Sequence, residues 1–113
     1  MSAFEKGIED AIRSYLESLG AVVYKIHGGQ FQSSISDLLI CYKGRFLAIE
    51  VKGPEGHLRP GQRVRIRKLK KASGVAISAR NVERVKQLID DLNAGRFWDH
   101  DWASDRTGNY SQH

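Results

Sequence analysis

The spacing of apolar residues divides the chain into predicted helices and strands. Apolar residues recur every three or four positions over residues 4–19 and 82–94, which is the pattern of amphipathic helices. Shorter stretches are apolar at alternate or consecutive positions, which is typical of strands. These predicted strands cover residues 21–27, 38–42, 46–52 and 74–79.

Residues 60–73 are predicted to form a further helix. Pro60 suits a first helical turn, and Gln62, Ile66 and Leu69 share one helical face. The alternation Arg-Val-Arg-Ile-Arg within this stretch would also suit a short strand. The predicted order is helix, three strands, helix, strand, helix. This order indicates one α/β domain over residues 1–95, followed by a polar tail over residues 96–113.

Charged residues lie at the ends of the two central strands. Lys43-Gly44 forms the predicted turn between these strands, so they pair as an antiparallel hairpin. The hairpin brings Asp37, just before the first strand, beside Glu50 and Lys52 at the end of the second. Carboxylate oxygens suit a hard divalent cation, and a lysine can hold a water or an anionic group, which is the outline of a metal-assisted phosphodiester site. The alternative is an ordinary ion pair at a sheet edge.

The balance of charge favours a polyanionic partner. The net charge is +5, and six of the nine residues from Arg63 to Lys71 are basic. Such a helix face favours a phosphate backbone, although it could also be only a solvated surface. The predicted DNA-binding residues are Arg63, Arg65, Arg67, Lys68, Lys70 and Lys71, together with His27 at the end of the first strand.

The remaining composition narrows the class of protein. The one cysteine, Cys41, lies in an apolar strand and is predicted to be a buried core thiol. No Cys/His spacing matches a structural zinc site. The N-terminal stretch contains acidic residues and is not a signal peptide, so the chain is expected in the cytoplasm.

The chain resembles the PD-(D/E)XK nuclease superfamily. It is most similar there to the stand-alone VRR-NUC domains of phage and bacteria, relatives of archaeal Holliday-junction resolvases. The resemblance covers residues 5–93. It rests on the element order and on a set of short motifs: Glu9 with Ile12, Leu16 and Gly20; His27-Gly28-Gly29; Ser36-Asp37-Leu38-Leu39; Lys43-Gly44-Arg45-Phe46; Ile49-Glu50-Val51-Lys52; and Gln62.

The resemblance implies a restriction-endonuclease-like αβββαβα core, with a mixed central sheet flanked by helices, and a role for each site residue. The implied ligands of Mg²⁺ or Mn²⁺ are Asp37, Glu50, the Val51 carbonyl and Glu9. Lys52 would position the attacking water or stabilise developing charge, and Gln62 would be a polar residue turned toward the site. Glu5 is an alternative to Glu9, one turn away on the same helix. Ser36 departs from the proline that the family often has there.

The expected function is that of a metal-dependent DNA endonuclease acting on branched, flapped or four-way DNA. A non-catalytic nucleic-acid-binding module and a restriction-type endonuclease are the alternatives. The resemblance also implies a homodimer, because two active sites can serve two strands. Aromatic residues of the tail are candidate interface residues, although they could instead pack on their own domain: Phe97, Trp98 and Trp102.

Overall fold

The computed structural model describes residues 3–26, 38–54 and 56–96. Its elements follow the predicted order and confirm the αβββαβα arrangement. They are α1 (Ala3–Ser18), β1 (Val22–Lys25), β2 (Leu38–Tyr42), β3 (Arg45–Val51), α2 (Pro60–Lys71), β4 (Val75–Ala79) and α3 (Val82–Asn93). Residues 60–71 are helical, so the alternative of a short strand there is wrong.

The four strands form a mixed sheet in the order β1-β2-β3-β4. β1, β2 and β3 are antiparallel neighbours, whereas β4 lies parallel to β3. The β2–β3 turn is the predicted Lys43-Gly44 pair, with φ angles of 50° and 76°. Positive φ at both central residues suits a tight hairpin turn, and Gly44 adopts it without steric cost. Leu38 consequently pairs with Ile49, beside Glu50.

Helices α1 and α3 cover one face of the sheet and form the larger core. Ile12 and Leu16 of α1 and Leu88 of α3 are fully buried there. The apolar stripe of α1 is shorter than its spacing predicts, because Phe4 is 71% exposed and Leu19 is 40% exposed at the two ends of the helix. The helix is therefore anchored mainly through its middle turns.

Helix α2 packs on the opposite face, over β3 and β4. Ile66 and Leu58 form a smaller core there with Ala48 of β3 and Ala76 of β4. The two alanines present little side-chain volume, so the helix can lie close to the sheet. This second core orients the inner side of α2 toward β3.

The β1–β2 half of that face and the start of β3 are left open among the described residues. Val22, Tyr24 and Phe46 are large apolar side chains that stay between 47% and 67% exposed. Cys41 is also exposed, so the prediction of a buried core thiol is wrong. The reason is that α2 covers only the β3–β4 half of this face, while β2 is apolar on both of its sides.

A side-chain cap and two glycines with positive φ mark the ends of α1 and α3. The Asn81 side chain accepts a hydrogen bond from the Arg84 amide at 2.9 Å, so Asn81 is the N-cap of α3. Gly20 and Gly95 have positive φ just beyond α1 and α3. None of the described helices combines the length and apolar character that crossing a membrane would require.

Candidate active site

Glu50 lies at the end of β3, and only 2% of its surface is exposed. Side chains alternate along a strand, so Glu50 shares a face with Ala48 and points toward α2. Val51 points to the opposite face and joins the larger core. A carboxylate is therefore buried at the strand end that the sequence singles out, and a buried carboxylate requires hydrogen-bonded or charged partners.

Two side chains of α2 hold the Glu50 carboxylate. Gln62 donates from Nε2 to Glu50 Oε2 at 2.8 Å, and Arg65 donates from a terminal guanidinium nitrogen to Glu50 Oε1 at 3.0 Å. Gln62 is itself 3% exposed, and its Oε1 accepts the Arg59 backbone N–H at 2.8 Å. The Gln62 side chain therefore has its oxygen toward the helix N-terminus and its nitrogen toward Glu50, and it fixes the orientation of that carboxylate.

The Glu50–Arg65 contact is an ion pair shielded from solvent. The side chain of Arg65 is 14% exposed and that of Glu50 is 3% exposed. Removing one partner of a buried pair costs about 3–5 kcal/mol, since the other charge is left in a poorly solvated place. Because Arg65 keeps some solvent contact, the lower end of that range applies here. The pair is strong enough to influence what else Glu50 can bind.

The loop after β3 places Lys52 and Glu5 near each other. The Lys52 amide bonds the Ala79 carbonyl at 3.0 Å and so extends the parallel pairing with β4. The following Gly53 donates its amide to Glu5 Oε2 at 3.1 Å. A Cβ placed on Gly56 would lie 3.4 Å from both Glu5 Oε2 and Lys52 Cδ, so these two side chains flank the same glycine. Lys52 is half-buried there.

Glu9 lies on the other side of the sheet from Glu50. It is 1% exposed and forms an ion pair with Lys25. Lys25 is two residues from Val23 in β1, so both side chains point to the same face of the sheet, where Val23 belongs to the larger core under α1 and α3. The Glu9 carboxylate is thus paired with Lys25, and within the described part of the chain it makes no hydrogen bond or ion pair with Glu50 or with the α2 residues that hold Glu50. On α1 it is Glu5, through Gly53, that contacts the segment following β3.

The basic residues of α2 divide into two groups. Arg67, Lys68 and Lys71 are exposed and form the outer basic face of the helix. The others are half-buried: Arg63, whose Nε donates to the Leu58 carbonyl at 3.4 Å; Arg65, which bonds Glu50; and Lys70. The structure thus places Arg65 on the inner side of the helix, where its guanidinium bonds Glu50.

Several predicted residues lie outside the described ranges. Asp37 precedes the first described residue of β2, and His27 follows Ile26, the last described residue before that gap. The aromatic residues of the tail, from Phe97 onward, lie beyond Arg96. The predicted roles of all these residues stay predictions.

Comparison with known proteins identifies the fold. No family model matches the chain, and no curated protein matches it. A solved structure described as a "VRR_NUC domain" is similar, with a TM-score of 0.68 and 22% identity over 79% of this chain and 97% of that one. A second, a "VRR_NUC domain protein", has a TM-score of 0.57 and 19% identity over 77% of this chain and 85% of that one. The chain has the VRR-NUC fold. The αβββαβα core with a mixed central sheet, which the resemblance implies, is thereby confirmed.

At the end of β3 in this VRR-NUC fold, Glu50 is the side chain that could hold a cation. Glu50 offers carboxylate oxygens, and it already accommodates the positive charge of Arg65 at 3.0 Å. Oxygen donors of this kind favour Mg²⁺ or Mn²⁺ over softer metals. Within residues 3–26, 38–54 and 56–96, no group of three or more His, Cys, Asp or Glu side chains is placed to hold a metal. Asp37 belongs to none of these ranges.

Two contacts of the VRR-NUC core are absent from the sequence predictions. The sequence pattern predicts Arg65 only as part of a DNA-binding face. Its spacing of three residues from Gln62, however, indicates that both side chains lie on the same side of the helix. Arg80 donates to the Gly53 carbonyl at 2.6 Å and helps to fix the loop after Lys52. The position of Arg80 directly after β4, parallel to β3, is the signal that could have indicated this contact.

Proposed function

We propose that this chain is a metal-dependent DNA endonuclease that hydrolyses phosphodiester bonds in branched, flapped or four-way DNA. The observation that supports this most is the buried Glu50 carboxylate, oriented by Gln62 at 2.8 Å and followed two positions later by Lys52. This arrangement stands at the end of the central hairpin of a VRR-NUC fold. A buried, oriented carboxylate of this kind suits metal-assisted chemistry.

The proposed ligands of Mg²⁺ or Mn²⁺ are Glu50, the Val51 carbonyl and Asp37. Asp37 directly precedes Leu38, which pairs with Ile49 next to Glu50, so a continued register would set the two carboxylates side by side. Glu9 remains a predicted further ligand, with Glu5 as the alternative acid of α1. When bound, the cation would lower the pKa of a water and polarise a phosphoryl oxygen.

The other residues of the site act around this centre. Lys52 would position the attacking water or stabilise the charge that develops on the phosphate during attack. Gln62 would hold Glu50 in one orientation, because its own amide is fixed by the Arg59 N–H. The exposed residues Arg67, Lys68 and Lys71 would bind the phosphate backbone.

A non-catalytic nucleic-acid-binding module is the second candidate. The Glu50–Arg65 ion pair favours it, because a guanidinium already neutralises the carboxylate and no cation is needed to stabilise the fold. The fold and the basic α2 face would serve such a module equally well. A restriction-type endonuclease has no comparable support.

A homodimer completes the proposal. Two copies related by a two-fold axis would place one site on each of two DNA strands. In addition to the predicted aromatic residues of the tail, the open part of the sheet, formed by β1, β2 and the start of β3, offers exposed apolar side chains: Val22, Tyr24 and Phe46. Exposed apolar patches of this kind are typical of interaction surfaces.

A cleavage assay on a panel of DNA structures tests the proposal. Linear duplex, flap, splayed-arm and four-way DNA are incubated with the protein in Mg²⁺, in Mn²⁺ and in a chelator, and binding is measured in parallel by mobility shift. We expect cleavage with either cation, none with the chelator, and preference for branched forms. DNA binding without cleavage under every condition would contradict the nuclease proposal and support the non-catalytic module.

A further inference from the structure

We infer that Arg65 is a positioning residue that holds Glu50 in the metal-free protein and competes with the divalent cation for it. Arg65 thereby sets the metal concentration at which the site becomes loaded. This inference rests on the proposed function, since it takes Glu50 as a metal ligand. It goes further by assigning Arg65 a role in metal loading in addition to the predicted contact with DNA.

The geometry that carries the inference is the division of the Glu50 carboxylate between two residues of α2. Gln62 bonds Oε2 at 2.8 Å and Arg65 bonds Oε1 at 3.0 Å. Residues three apart lie on the same side of a helix, so one face of α2 presents a neutral donor and a cation to the same carboxylate. Gln62 can remain when a cation binds, because it carries no charge, whereas Arg65 cannot remain without cost.

Charge and burial make that cost large. A guanidinium does not lose its proton in a protein, so Arg65 cannot become neutral to admit a second cation. Two like charges repel more strongly where solvent is largely excluded, and the two side chains are only 14% and 3% exposed. A divalent cation on Glu50 must therefore either displace the Arg65 guanidinium or bind more weakly beside it.

A guanidinium of Arg65 displaced from Glu50 could lie on the exposed basic face of α2. Arg67 and Lys68, two and three residues further along α2, are exposed on its basic face. A long arginine side chain that leaves Glu50 can turn toward solvent on the same helix, where it would add one more phosphate contact. Metal loading would then also strengthen the DNA-binding face.

The competing explanation is that Arg65 only stabilises the fold. In that case its removal would lower the melting temperature but would leave metal affinity unchanged. Metal affinity therefore separates the two explanations, and it can be measured without DNA and without catalysis.

The test compares Arg65→Gln with Arg67→Gln in the full chain. Both variants lose one positive charge from α2, but only the first loses a contact with Glu50. Mn²⁺ binding is measured by isothermal titration calorimetry. We expect Arg65→Gln to lower the Mn²⁺ dissociation constant by about tenfold, which lies within the usual range of coupling between two sites. Arg67→Gln should change the dissociation constant by no more than about twofold, because an exposed charge is well screened. Arg65→Lys should bind Mn²⁺ as weakly as the wild type, because the retained positive charge still competes for Glu50.

The outcomes distinguish this inference from the proposed function. If Glu50→Gln abolishes Mn²⁺ binding while Arg65→Gln leaves the dissociation constant equal to that of the wild type, the inference is overturned and the metal site stands. If neither the wild type nor Arg65→Gln binds Mn²⁺, the metal site and the inference both fall.

A measurement on the wild type avoids dependence on a variant that does not fold. Mg²⁺ is titrated into ¹⁵N-labelled protein, and the arginine side-chain Nε signals are followed, with Arg65 assigned from the spectrum of Arg65→Lys. We expect the Arg65 signal to shift and its Nε proton to exchange faster with solvent as Mg²⁺ saturates the site. An Arg65 signal that stays unchanged at saturation would overturn the inference.

Discussion

Replacing Gln62 with glutamate should turn the support of Glu50 into a repulsion that depends on pH. Glutamate has nearly the same shape as glutamine, and it can still accept the Arg59 N–H, which lies 2.8 Å from the side-chain oxygen. It cannot donate to Glu50 unless it is protonated. The variant therefore places a second carboxyl group at the position of Nε2, 2.8 Å from Glu50 Oε2.

The size of the effect follows from the proton that the pair must share. Two carboxylates in contact cannot both ionise cheaply, so one keeps its proton and its pKa rises. Holding one glutamate of ordinary pKa, about 4.3, protonated at pH 7 costs about 3.7 kcal/mol, whereas the same requirement at pH 5 costs about 1 kcal/mol. The nearby Arg65 guanidinium reduces the repulsion, so we expect a loss of about 2–4 kcal/mol at pH 7.

The sign of the pH dependence is fixed by that raised pKa. The folded variant binds one more proton than the unfolded chain between the two pKa values, so its stability is retained at low pH and is lost as the pH rises. Since 1 kcal/mol corresponds to about 4 °C or more in a domain of this size, the melting temperature of Gln62→Glu should lie about 8–15 °C below the wild type at pH 7. The deficit should shrink to about 4 °C at pH 5.

Thermal unfolding followed by circular dichroism between pH 4.5 and 8 measures this. The matched control is Gln87→Glu, the same substitution at an exposed position of α3, which should stay within about 0.5 kcal/mol of the wild type. A deficit for Gln62→Glu that is the same at every pH, or no larger than that of the control, would show that Gln62 does not support Glu50 as the structure indicates.

Three further predictions concern the site, the DNA-binding face and the oligomeric state. Lys52→Ala should lower the single-turnover cleavage rate by about 10²-fold or more and change DNA affinity little, because a lysine that stabilises developing charge acts mainly in the transition state; equal losses in both would contradict this. Reversing the charge of the exposed residues Arg67, Lys68 and Lys71 should weaken DNA binding and flatten its dependence on salt, with the melting temperature nearly unchanged. An unaltered salt slope would show that this face does not bind DNA. Light scattering at micromolar concentration should give twice the monomer mass of 12.7 kDa, whereas a monomer mass that persists as concentration rises would refute the homodimer.

The hairpin and the burial of its final carboxylate could be predicted from the sequence for a physical reason. Apolar runs on both sides of Lys43-Gly44 leave only one tight turn that pairs them, and this turn sets the register. The positive φ of Lys43 and Gly44 confirms the turn. Glu50 then has to be buried, since it continues a strand whose preceding residues, Leu47 to Ile49, are all in the interior.

The rotation of the helices was harder to predict. Glu5 and Glu9 are one turn apart on α1, and their spacing to the apolar stripe does not decide which of them lies near β3. The packing of Ile12 and Leu16 turns Glu9 toward Lys25, whereas Glu5 reaches Gly53. Small differences in helix rotation separate these two outcomes, and only tertiary packing sets them.

The periodicity of apolar residues also could not predict how much of the sheet α2 covers. β2 is apolar on both sides, which predicts burial on both faces, yet Cys41 is exposed. How far α2 extends over the sheet depends on the close approach of Ile66 to Ala48 and Ala76, a long-range contact that no local pattern contains. For the same reason Arg65 has the charge of a surface residue but the position of an interior one.

The most direct test of the proposed function is the effect of Glu50→Gln on cleavage. This substitution keeps the shape of the side chain and removes the charge that a metal and Arg65 both require. The single-turnover cleavage rate of branched DNA in Mg²⁺ is compared for the wild type, Glu50→Gln and the exposed control Glu83→Gln, with folding checked by circular dichroism. We predict that Glu50→Gln folds and binds DNA but does not cleave it, while Glu83→Gln cleaves at the wild-type rate. Cleavage by folded Glu50→Gln at a rate close to that of the wild type would contradict the proposal that the end of β3 is the active site.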